Sequence, residues 1–532
     1  MKEQTRDDFF TIYSRRIIII TTVAYIVLAV PFHWRPDNFI VDDGYFYLQV
    51  ARNIASGHGS TFNGVMPTNG YHPLWMLVCV CAAFFTKASS SLIQVVATIS
   101  DALVLLSIYL FIYICEVAKR KGAIAGIAVI VFMTTTIGIW RMLEADLSLT
   151  LQLIILALLV RWRSRNHVLT AIHGLLMGCL LGLSLLARLD LIFFALIVYM
   201  YIVFFPSEAA GDRHRYLRTI RALSAGASCS LLVCPYLYWN YHIYGHIVPI
   251  SGAIKSHFLR GGIHLFSYCV PVVVASLLNV AHFAKRRGTP FGAIVLIASG
   301  SALLHLTYCI LFGNVAAWYL TTGYLSAAFC LTWLFDIRLE KSLTPNKQVI
   351  WFGLATFLAL LSFGALRLVS NFTYTRLIHG NVAFRSNYIE PKRTMAEKLR
   401  QMLPEGSRIY IYDGPGGVAY YSRMSIVPTD GLMGDYSYNT RLLADGVNKY
   451  MKSERIDYII APVLRPDQTY ASGGFSGRGV AGGQVFEIYS PLYGRSAGSF
   501  VVSDKDMLAT FATVVPDFES AFPKVAVWRV NH

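Results

Sequence analysis

"VDDGYFYLQVARNIASGHGSTFNGVMPTNGYHPLW", residues 41–75, follows the first long apolar run of the chain. It opens with two adjacent carboxylates, Asp42 and Asp43, and continues through polar, glycine and aromatic residues. Adjacent like charges repel each other, and apolar surroundings raise the cost of ionising both. A simple connection between membrane segments has no need of such a pair, so the stretch points to chemistry at the end of a membrane segment.

The composition is that of a membrane protein. Of 532 residues, 55% are hydrophobic and 14% are charged, whereas a soluble domain is roughly half apolar and a quarter charged. Several runs reach about 18 residues with few charges, the length needed to cross roughly 30 Å of hydrocarbon. We therefore predict a polytopic α-helical membrane protein.

The distribution of basic residues decides the predicted topology. If the apolar segment 72–86 does not cross the membrane, the cytoplasmic pieces hold 20 Lys and Arg residues and the outer loops before residue 370 hold seven. A crossing at 72–86 would put most basic clusters outside, against the positive-inside preference. We predict a cytoplasmic N-terminus, a juxtamembrane or re-entrant helix at 72–86, and eleven spanning helices, at 17–33, 92–116, 122–140, 145–162, 168–187, 189–206, 219–240, 264–284, 289–312, 318–336 and 347–369.

Two further expectations follow from this topology. The net charge of +16 is explained by cytoplasmic loops, so no nucleic-acid partner is expected. The chain divides into a transmembrane part, 1–370, whose first outer loop is 34–91, and an extracytoplasmic α/β domain, 371–532. In that domain "TMAEKLRQMLPEG" predicts an amphipathic helix, and alternating or buried apolar runs predict strands in "SRIYIY", "IDYIIAP", "GGQVFEIYS" and "KVAVWRV".

The predicted outer face collects polar and aromatic side chains. Residues at a headgroup boundary are often only solvated, and Trp and Tyr are enriched there in many membrane proteins. The combination of carboxylates, cations and rings on one face nevertheless favours a functional site. The candidates are Asp42, Asp43, Asn69, His72, Arg141, Glu144, Asp146, Arg188, Asp190, His246, Lys255, Trp318 and Tyr319.

This combination suits the transfer of a group from a lipid-linked phosphate. Asp43 or Asp42 can act as general base on an acceptor hydroxyl. Cations can bind the phosphate leaving group and stabilise the charge that it gains; the candidates are Arg188, Lys255 and Arg141. The remaining side chains are assigned to the sugar and the acceptor: Glu144, Asp146, Asp190, Asn69, His72, His246, Trp318 and Tyr319.

No cofactor is expected. The sequence has no HExxH or EF-hand spacing, no Walker A sequence and no GxGxxG that opens a helix. We therefore predict no protein metal site, and leave a divalent-cation requirement open.

The same stretches resemble the GT-C superfamily of membrane glycosyltransferases, and more narrowly the branch that includes the mycobacterial terminal arabinofuranosyltransferases. The Asp-Asp pair, "ARNIASGHGSTFN" and "TNGYHPLW" carry the likeness in the first loop. "RMLEADLSL", "LLARLD" and "YGHIVPISGAIKS" carry it at later helix ends, and "YDGPGGVAYYS" and "TDGLMGDYSY" in the C-terminal domain. Two departures are Asp190, where the branch has a Pro-Glu-like turn, and "LEADLS", which lacks its Thr.

The resemblance implies an inverting transferase that uses a polyprenyl-phosphate sugar, with a first-loop aspartate as base. Apolar residues at helical spacing in "GYFYLQVARNIASG", ended by Gly57, predict a short helix on the membrane surface. Asp43 is preferred over Asp42 because it lies nearer this predicted surface helix. The expected function is transfer of a sugar, with arabinofuranose as one candidate, to a cell-envelope glycan or glycoprotein on the outer face of the bacterial cytoplasmic membrane. The alternatives are a transporter or flippase for lipid-linked sugars, and an oligosaccharide ligase. The lack of internal repeats disfavours transport.

Overall fold

The computed structural model describes most of the chain. The described residues are 16–27, 29, 33, 40–86, 88–131, 134, 142–166, 168–204, 212–256, 263–312, 317–339, 390–412, 414–466, 468–472, 474–512 and 524–531.

Up to residue 339 the described part is built from helices, because apolar residues dominate long runs that satisfy their backbone hydrogen bonds internally. These helices are α1 (Arg16–Val27), α2 (Asp42–Ala55), α3 (Pro73–Phe85), α4 (Ser89–Val117), α5 (Ala123–Val131), α6 (Glu144–Ser164), α7 (Ala171–Ala187), α8 (Ile192–Val203), α9 (Asp212–Tyr244), α10 (Ile250–Lys255), α11 (Ile263–Phe283), α12 (Pro290–Phe312) and α13 (Thr321–Leu339).

Five stretches within the described helices are long and apolar enough to cross a membrane by length and composition: Ser90–Val117, Glu144–Ser164, Arg215–Tyr244, Cys269–Arg286 and Pro290–Leu311. Shorter apolar helices lie at Arg16–Val27, Pro73–Phe85, Ala171–Ala187 and Leu189–Val203. The number of eleven spans stays a prediction, and the last predicted span, 347–369, lies outside the described residues. At 13 residues, α3 is about 20 Å long, which is short of the roughly 30 Å of hydrocarbon.

Glycines let two of the membrane helices approach closely. Gly174 and Gly178 lie one turn apart on α7, and a Cβ at these positions would lie 2.5 Å from the Arg221 carbonyl oxygen and 2.1 Å from that of Ala225, both on α9. In a membrane, where apolar surface gains little from packing against apolar surface, small residues allow the backbone contact that holds helices together.

The C-terminal part adopts an α/β fold. Its helices are α14 (Glu390–Met402), α15 (Pro415–Ser422) and α16 (Tyr436–Ser453), and its strands are β1 (Arg408–Ile411), β2 (Ser425–Pro428), β3 (Tyr458–Pro462), β4 (Thr469–Ser472), β5 (Phe475–Val480), β6 (Gly483–Ser490), β7 (Arg495–Ser503), β8 (Met507–Ala512) and β9 (Lys524–Arg529). A five-stranded mixed sheet has the order β2-β1-β3-β9-β8, and a four-stranded antiparallel sheet the order β4-β5-β6-β7. The predicted amphipathic helix and the four predicted strands are confirmed.

The segment that contains α2 and the residues up to α3 packs directly against this α/β part. Tyr45 of α2 lies with its ring centroid 5.6 Å from that of Tyr420 and 5.7 Å from that of Tyr421 on α15. A Cβ on Gly70 would lie 2.0 Å from the Leu432 carbonyl oxygen, so only glycine permits this approach. The contact fixes the helix that begins with the two aspartates.

Candidate functional site

The two adjacent aspartates have different partners. Asp42 and Asp43 are the first residues of α2, where successive side chains are separated by about 100° around the helix. The Asp42 carboxylate accepts hydrogen bonds from the backbone N–H groups of Gly416 at 2.9 Å and Gly417 at 3.2 Å. These N–H groups belong to the first turn of α15, where helices leave their amides unsatisfied. Asp42 therefore acts as a cap supplied from another part of the chain.

Asp43 instead faces a cation. The Lys255 ammonium lies 3.2 Å from Asp43 Oδ2. Lys255 ends α10, and Asn69 of the first loop fixes the start of that helix. Asn69 Oδ1 accepts from the Ile250 N–H at 3.1 Å, and its Nδ2 donates to Asn240 Oδ1 at 3.3 Å. Asn69 thus uses both ends of its amide to hold Lys255 near Asp43.

A buried arginine lies at the centre of a second group of charges. Arg188 is 2% exposed and sits at the turn between α7 and α8. Its Nη1 donates to Glu144 Oε1 at 2.6 Å, while Nε and Nη2 donate to the two oxygens of Asp190 at 3.0 and 2.6 Å. His305 Nε2, from the middle of α12, lies 3.5 Å from Asp190 Oδ2. The two negative charges of Glu144 and Asp190 exceed the single positive charge of Arg188.

Tyr319 joins the two groups. The Arg188 guanidinium carbon lies 4.8 Å from the centroid of the Tyr319 ring, and the Lys255 nitrogen lies 5.8 Å from it. Both distances fall within the range of a cation–π interaction. Trp318 packs with its ring nearly perpendicular to that of Tyr319, with 5.6 Å between centroids. Asp43, Lys255, Tyr319 and Arg188 therefore form one continuous cluster.

His72 and Tyr47 close the cluster on the side of Glu144. His72 Nε2 lies 3.8 Å from Glu144 Oε1. The Tyr47 hydroxyl accepts the backbone N–H of His72 at 3.2 Å and makes a side-chain hydrogen bond with Glu144. His72 Nδ1 is buried and has no hydrogen-bond partner among the described residues. This nitrogen is therefore available for a hydrogen bond with a bound ligand.

The charges of the cluster shift the pKa values of its members. Burial alone would lower the pKa of the Lys255 ammonium, but the Asp43 carboxylate and Tyr319 raise it, and the net shift is upward. Arg188 behaves likewise: burial opposes its charge, and Asp190 and Glu144 raise its pKa above the ordinary value. For His72, burial dominates and lowers the pKa, although the Glu144 carboxylate opposes this. The site therefore keeps its two cations charged and favours a neutral imidazole.

Some sequence candidates lie elsewhere or serve the fold. Asp146 is 1% exposed and accepts a hydrogen bond from the Ser100 hydroxyl. His246 is exposed, and its ring stacks on that of Tyr436 at 3.7 Å between centroids. Arg141 lies outside the described residues. Within the described part of the chain, Asp146, His246 and Asn69 make none of the contacts that join Asp43, Lys255, Tyr319 and Arg188.

Sequence reasoning missed three contributors. His305 lies within the apolar α12, and an ionisable residue inside such a run is itself a sign of function. Tyr47 is one of several aromatic residues of α2, and nothing in the local pattern separates it from the others. The Gly416 and Gly417 amides have no side-chain signal, because a backbone N–H is available in almost any residue. Among the described residues, no group of three or more His, Cys, Asp and Glu is arranged to hold a metal ion.

No protein-family model and no curated protein matches the sequence. Among solved structures, the chain is similar to the crystal structure of ArnT from Cupriavidus metallidurans in the apo state, with a TM-score of 0.48 and 14% sequence identity. The similarity covers 92% of this chain and 97% of that chain. At this level of similarity, the function has to be inferred from the residues of the site.

Proposed function

We propose that the protein is a membrane glycosyltransferase of the GT-C type, which moves a sugar from a polyprenyl-phosphate donor to a cell-envelope glycan or glycoprotein. The observation that carries the proposal is the Asp43–Lys255 pair, 3.2 Å apart, beside the rings of Tyr319 and Trp318. A carboxylate can act as general base on an acceptor hydroxyl, and a cation can stabilise the charge that a leaving phosphate gains. The sequence resemblance to that superfamily supports the same assignment.

The proposed reaction is a single displacement. Asp43 accepts the proton of the acceptor hydroxyl as the hydroxyl oxygen attacks the anomeric carbon. The bond from that carbon to the phosphate oxygen breaks, and polyprenyl phosphate leaves with the electron pair. Attack opposite the leaving group inverts the anomeric configuration. Lys255 lies close enough to the base to stabilise the negative charge that the phosphate gains.

The other cluster residues have supporting roles in this proposal. Arg188 already binds two carboxylates, so we assign the donor phosphate first to Lys255. Arg188 is the second phosphate ligand in this proposal, and it gives up its contact with one carboxylate when the phosphate binds. Glu144 and Asp190 hold Arg188 in place, and His72 offers its unpartnered Nδ1 to a sugar hydroxyl. Arabinofuranose is proposed as the sugar, and the outer face of the cytoplasmic membrane as the location.

The decisive experiment compares the wild type with Asp43→Asn and Asp42→Asn, purified in detergent. Each protein receives synthetic polyprenyl-phosphoryl arabinofuranose and a panel of short glycan acceptors, and released polyprenyl phosphate and glycosylated acceptor are measured. We expect the rate to fall about 10²–10⁴-fold for Asp43→Asn, the usual contribution of a general base. Asp42→Asn should retain most of the activity, because Asp42 bonds to backbone amides.

Other outcomes assign other functions. Activity that survives in Asp43→Asn and disappears in Asp42→Asn would move the base to Asp42. Donor binding without release of polyprenyl phosphate, for this donor and for other sugar-phosphate lipids, would favour a transporter or flippase. Release that occurs only with a preassembled lipid-linked oligosaccharide would favour a ligase.

A further inference from the structure

A cleft lies on the other side of α2 from Asp43. It has a volume of about 800 Å³ and is bordered by the end of α2, the end of α3 and the strands of the C-terminal part near Arg408 and Ser425. Arg52 lines it and follows Asp43 by nine residues, which places it about 14 Å farther along the helix and roughly half a turn around it. A ligand in this cleft is therefore separated from the Asp43–Lys255 pair by the body of α2.

The cleft carries unbalanced positive charge. Three arginines line it, Arg52, Arg408 and Arg423, and none of the described residues around it is acidic. Arg408 has a carboxylate partner outside the cleft, Glu454, at 3.3 Å. The Arg423 side chain is exposed and makes no hydrogen bond or ion pair within the described part of the chain. An anion that enters the cleft meets at least one guanidinium with all of its donors available.

Arg52 is held in position for such an anion. Its Nη1 donates to the Tyr420 carbonyl at 3.1 Å, its Nη2 donates to Gln49 Oε1, and its guanidinium carbon lies 4.8 Å from the centroid of the Tyr420 ring. Burial lowers the pKa of Arg52; the interaction with Tyr420 opposes this shift, and the positive charge of Arg423 adds to it. The two guanidinium groups therefore repel each other, and a bound anion between them relieves that repulsion.

A hydroxyl of the wall points to a ligand independently of charge. The φ of 57° at Arg423 belongs to the end of α15, where a residue in the left-handed conformation commonly closes a helix. Ser425, two residues on, has a buried hydroxyl without a hydrogen-bond partner among the described residues, and it lines the same cleft.

The opposite wall is apolar and is formed by the end of α3 and the start of α4. Ala83 and Phe84 of α3 and Leu92 of α4 line the cleft on this side, and Phe84 is 65% exposed. Phe84 lies one residue before the end of α3, an apolar helix of 13 residues, and its neighbour Phe85 is 88% exposed. Large exposed apolar side chains at such a helix end mark contact with lipid.

We propose that this cleft binds the phosphate headgroup of an anionic membrane lipid, with the headgroup between Arg52 and Arg423 and the acyl chains along Phe84. The guanidinium forks match phosphate oxygens in pairs, and the Ser425 hydroxyl supplies a further donor. The apolar wall selects a lipid over a soluble phosphate. The site is separate from the Asp43 cluster and independent of the function proposed for it.

The test measures lipid binding to the full chain by native mass spectrometry in detergent, with phosphatidylglycerol and phosphatidylcholine as probes. Arg423→Asn removes the charge, and Asn tolerates the left-handed backbone. Arg455→Asn is the matched control, because Arg455 is an exposed arginine with a φ of 51° that follows a helix in the same part of the chain and does not line the cleft. We expect phosphatidylglycerol to bind about tenfold or more weakly to Arg423→Asn, and within about twofold of wild type to Arg455→Asn.

Three results would overturn the proposal. Equal losses in the two arginine variants would mean that only diffuse surface charge attracts the lipid. Equal binding of phosphatidylglycerol and phosphatidylcholine by the wild type would remove the role of headgroup charge. Unchanged phosphatidylglycerol binding in Phe84→Ser, together with inorganic phosphate that competes as strongly as the lipid, would make the site one for soluble phosphate. Because no turnover is measured, these results stand apart from the test of glycosyl transfer.

Discussion

The seam between α2 and α15 and the cluster around Arg188 are held together by different forces, although Asp42 and Asp43 are neighbours in the chain. At the seam, Asp42 accepts two backbone N–H groups and Tyr45 packs against two tyrosine rings. In the cluster, one ion pair joins Asp43 to Lys255, and two others join Arg188 to Glu144 and Asp190. The seam fixes the position of the helix, and the cluster supplies the reactive groups.

The difference determines what each region can tolerate. A carboxylate bound to two amides is locked in one orientation and leaves little capacity for a substrate. A carboxylate beside a lysine that is 26% exposed is reached by solvent and can exchange its partner. Substitutions at four positions test this division between the seam and the cluster.

Arg188→Gln should have the largest effect. It leaves Glu144 and Asp190, whose side chains are 5% and 19% exposed, without their cation, and breaking a buried pair in this way costs about 3–5 kcal/mol. We expect a marked fall in the thermal unfolding midpoint in detergent. Arg188→Lys keeps the charge without the bidentate geometry and should lose less. A midpoint equal to that of the wild type would show that the two carboxylates have other partners.

Lys255→Gln should lower activity more than stability. The side chain is partly exposed, so its loss costs the fold little, whereas loss of a group that stabilises a developing charge costs about 10²–10³-fold in turnover. The rate of polyprenyl-phosphate release and the unfolding midpoint are both measured. A variant that unfolds early but turns over normally would assign Lys255 to the scaffold and remove it from the reaction.

Asp42→Ala should loosen the seam. Removal of the acceptor for two N–H groups at a helix start costs about 1–2 kcal/mol, and hydrogen exchange of the peptide that contains Gly416 and Gly417 should become faster. Asp435→Ala provides the control, because Asp435 caps α16 through the Tyr438 N–H at 2.8 Å and should accelerate exchange there instead. Unchanged hydrogen exchange at Gly416 in Asp42→Ala would show that Asp42 does not stabilise the start of α15, and the proposed difference between the two aspartates would be wrong.

His72→Gln should have the smallest of the four effects, a change in how stability depends on pH. Burial lowers the pKa of His72 below 6.5 in the folded protein, so below pH 6.5 the unfolded chain binds the proton more readily. Wild-type stability therefore falls as the pH drops through 6.5 toward the lowered pKa, and each tenfold difference in proton affinity between the folded and unfolded chain costs about 1.4 kcal/mol. The variant lacks this contribution. Unfolding midpoints between about pH 7 and pH 5 should decline less steeply in His72→Gln, and parallel curves would contradict the assignment.

Much of the fold is readable from the sequence because its signals are local. The apolar runs predict most of the helices, the helix of the first loop ends near Gly57 as its pattern indicates, and strands such as Tyr458–Pro462 follow from continuous apolar residues. The local signal is weaker in "YDGPGGVAYYS", whose pattern predicts a Gly-rich turn and another short element without giving its type; that element is the helix α15, from Pro415 to Ser422. Its glycines lower helix propensity, and packing against α2 outweighs that cost.

The roles of individual polar residues depend on distant partners and are therefore less accessible. The sequence assigns Asn69 to sugar binding because it is polar and lies in the predicted outer loop; this role stays a prediction, and the structure adds that its amide bonds to Ile250 and Asn240. The assignment of His246 to the sugar also stays a prediction, and its stacking on the Tyr436 ring could not be read from the sequence. The distinction between Asp42 and Asp43 requires the position of Gly416, which no local pattern around residue 42 contains.

The hydrogen bond from the Gly416 N–H to Asp42 also determines when this contact can form during synthesis of the chain. The two residues are separated by 374 positions, and a ribosome that adds about 5–20 residues per second needs roughly 20–75 s to make the second after the first. During that interval α2 is present but its capping partner has not yet been made. The hydrogen bonds that hold Asp42 therefore form only after Gly416 and Gly417 have been synthesised, long after the first loop has been made.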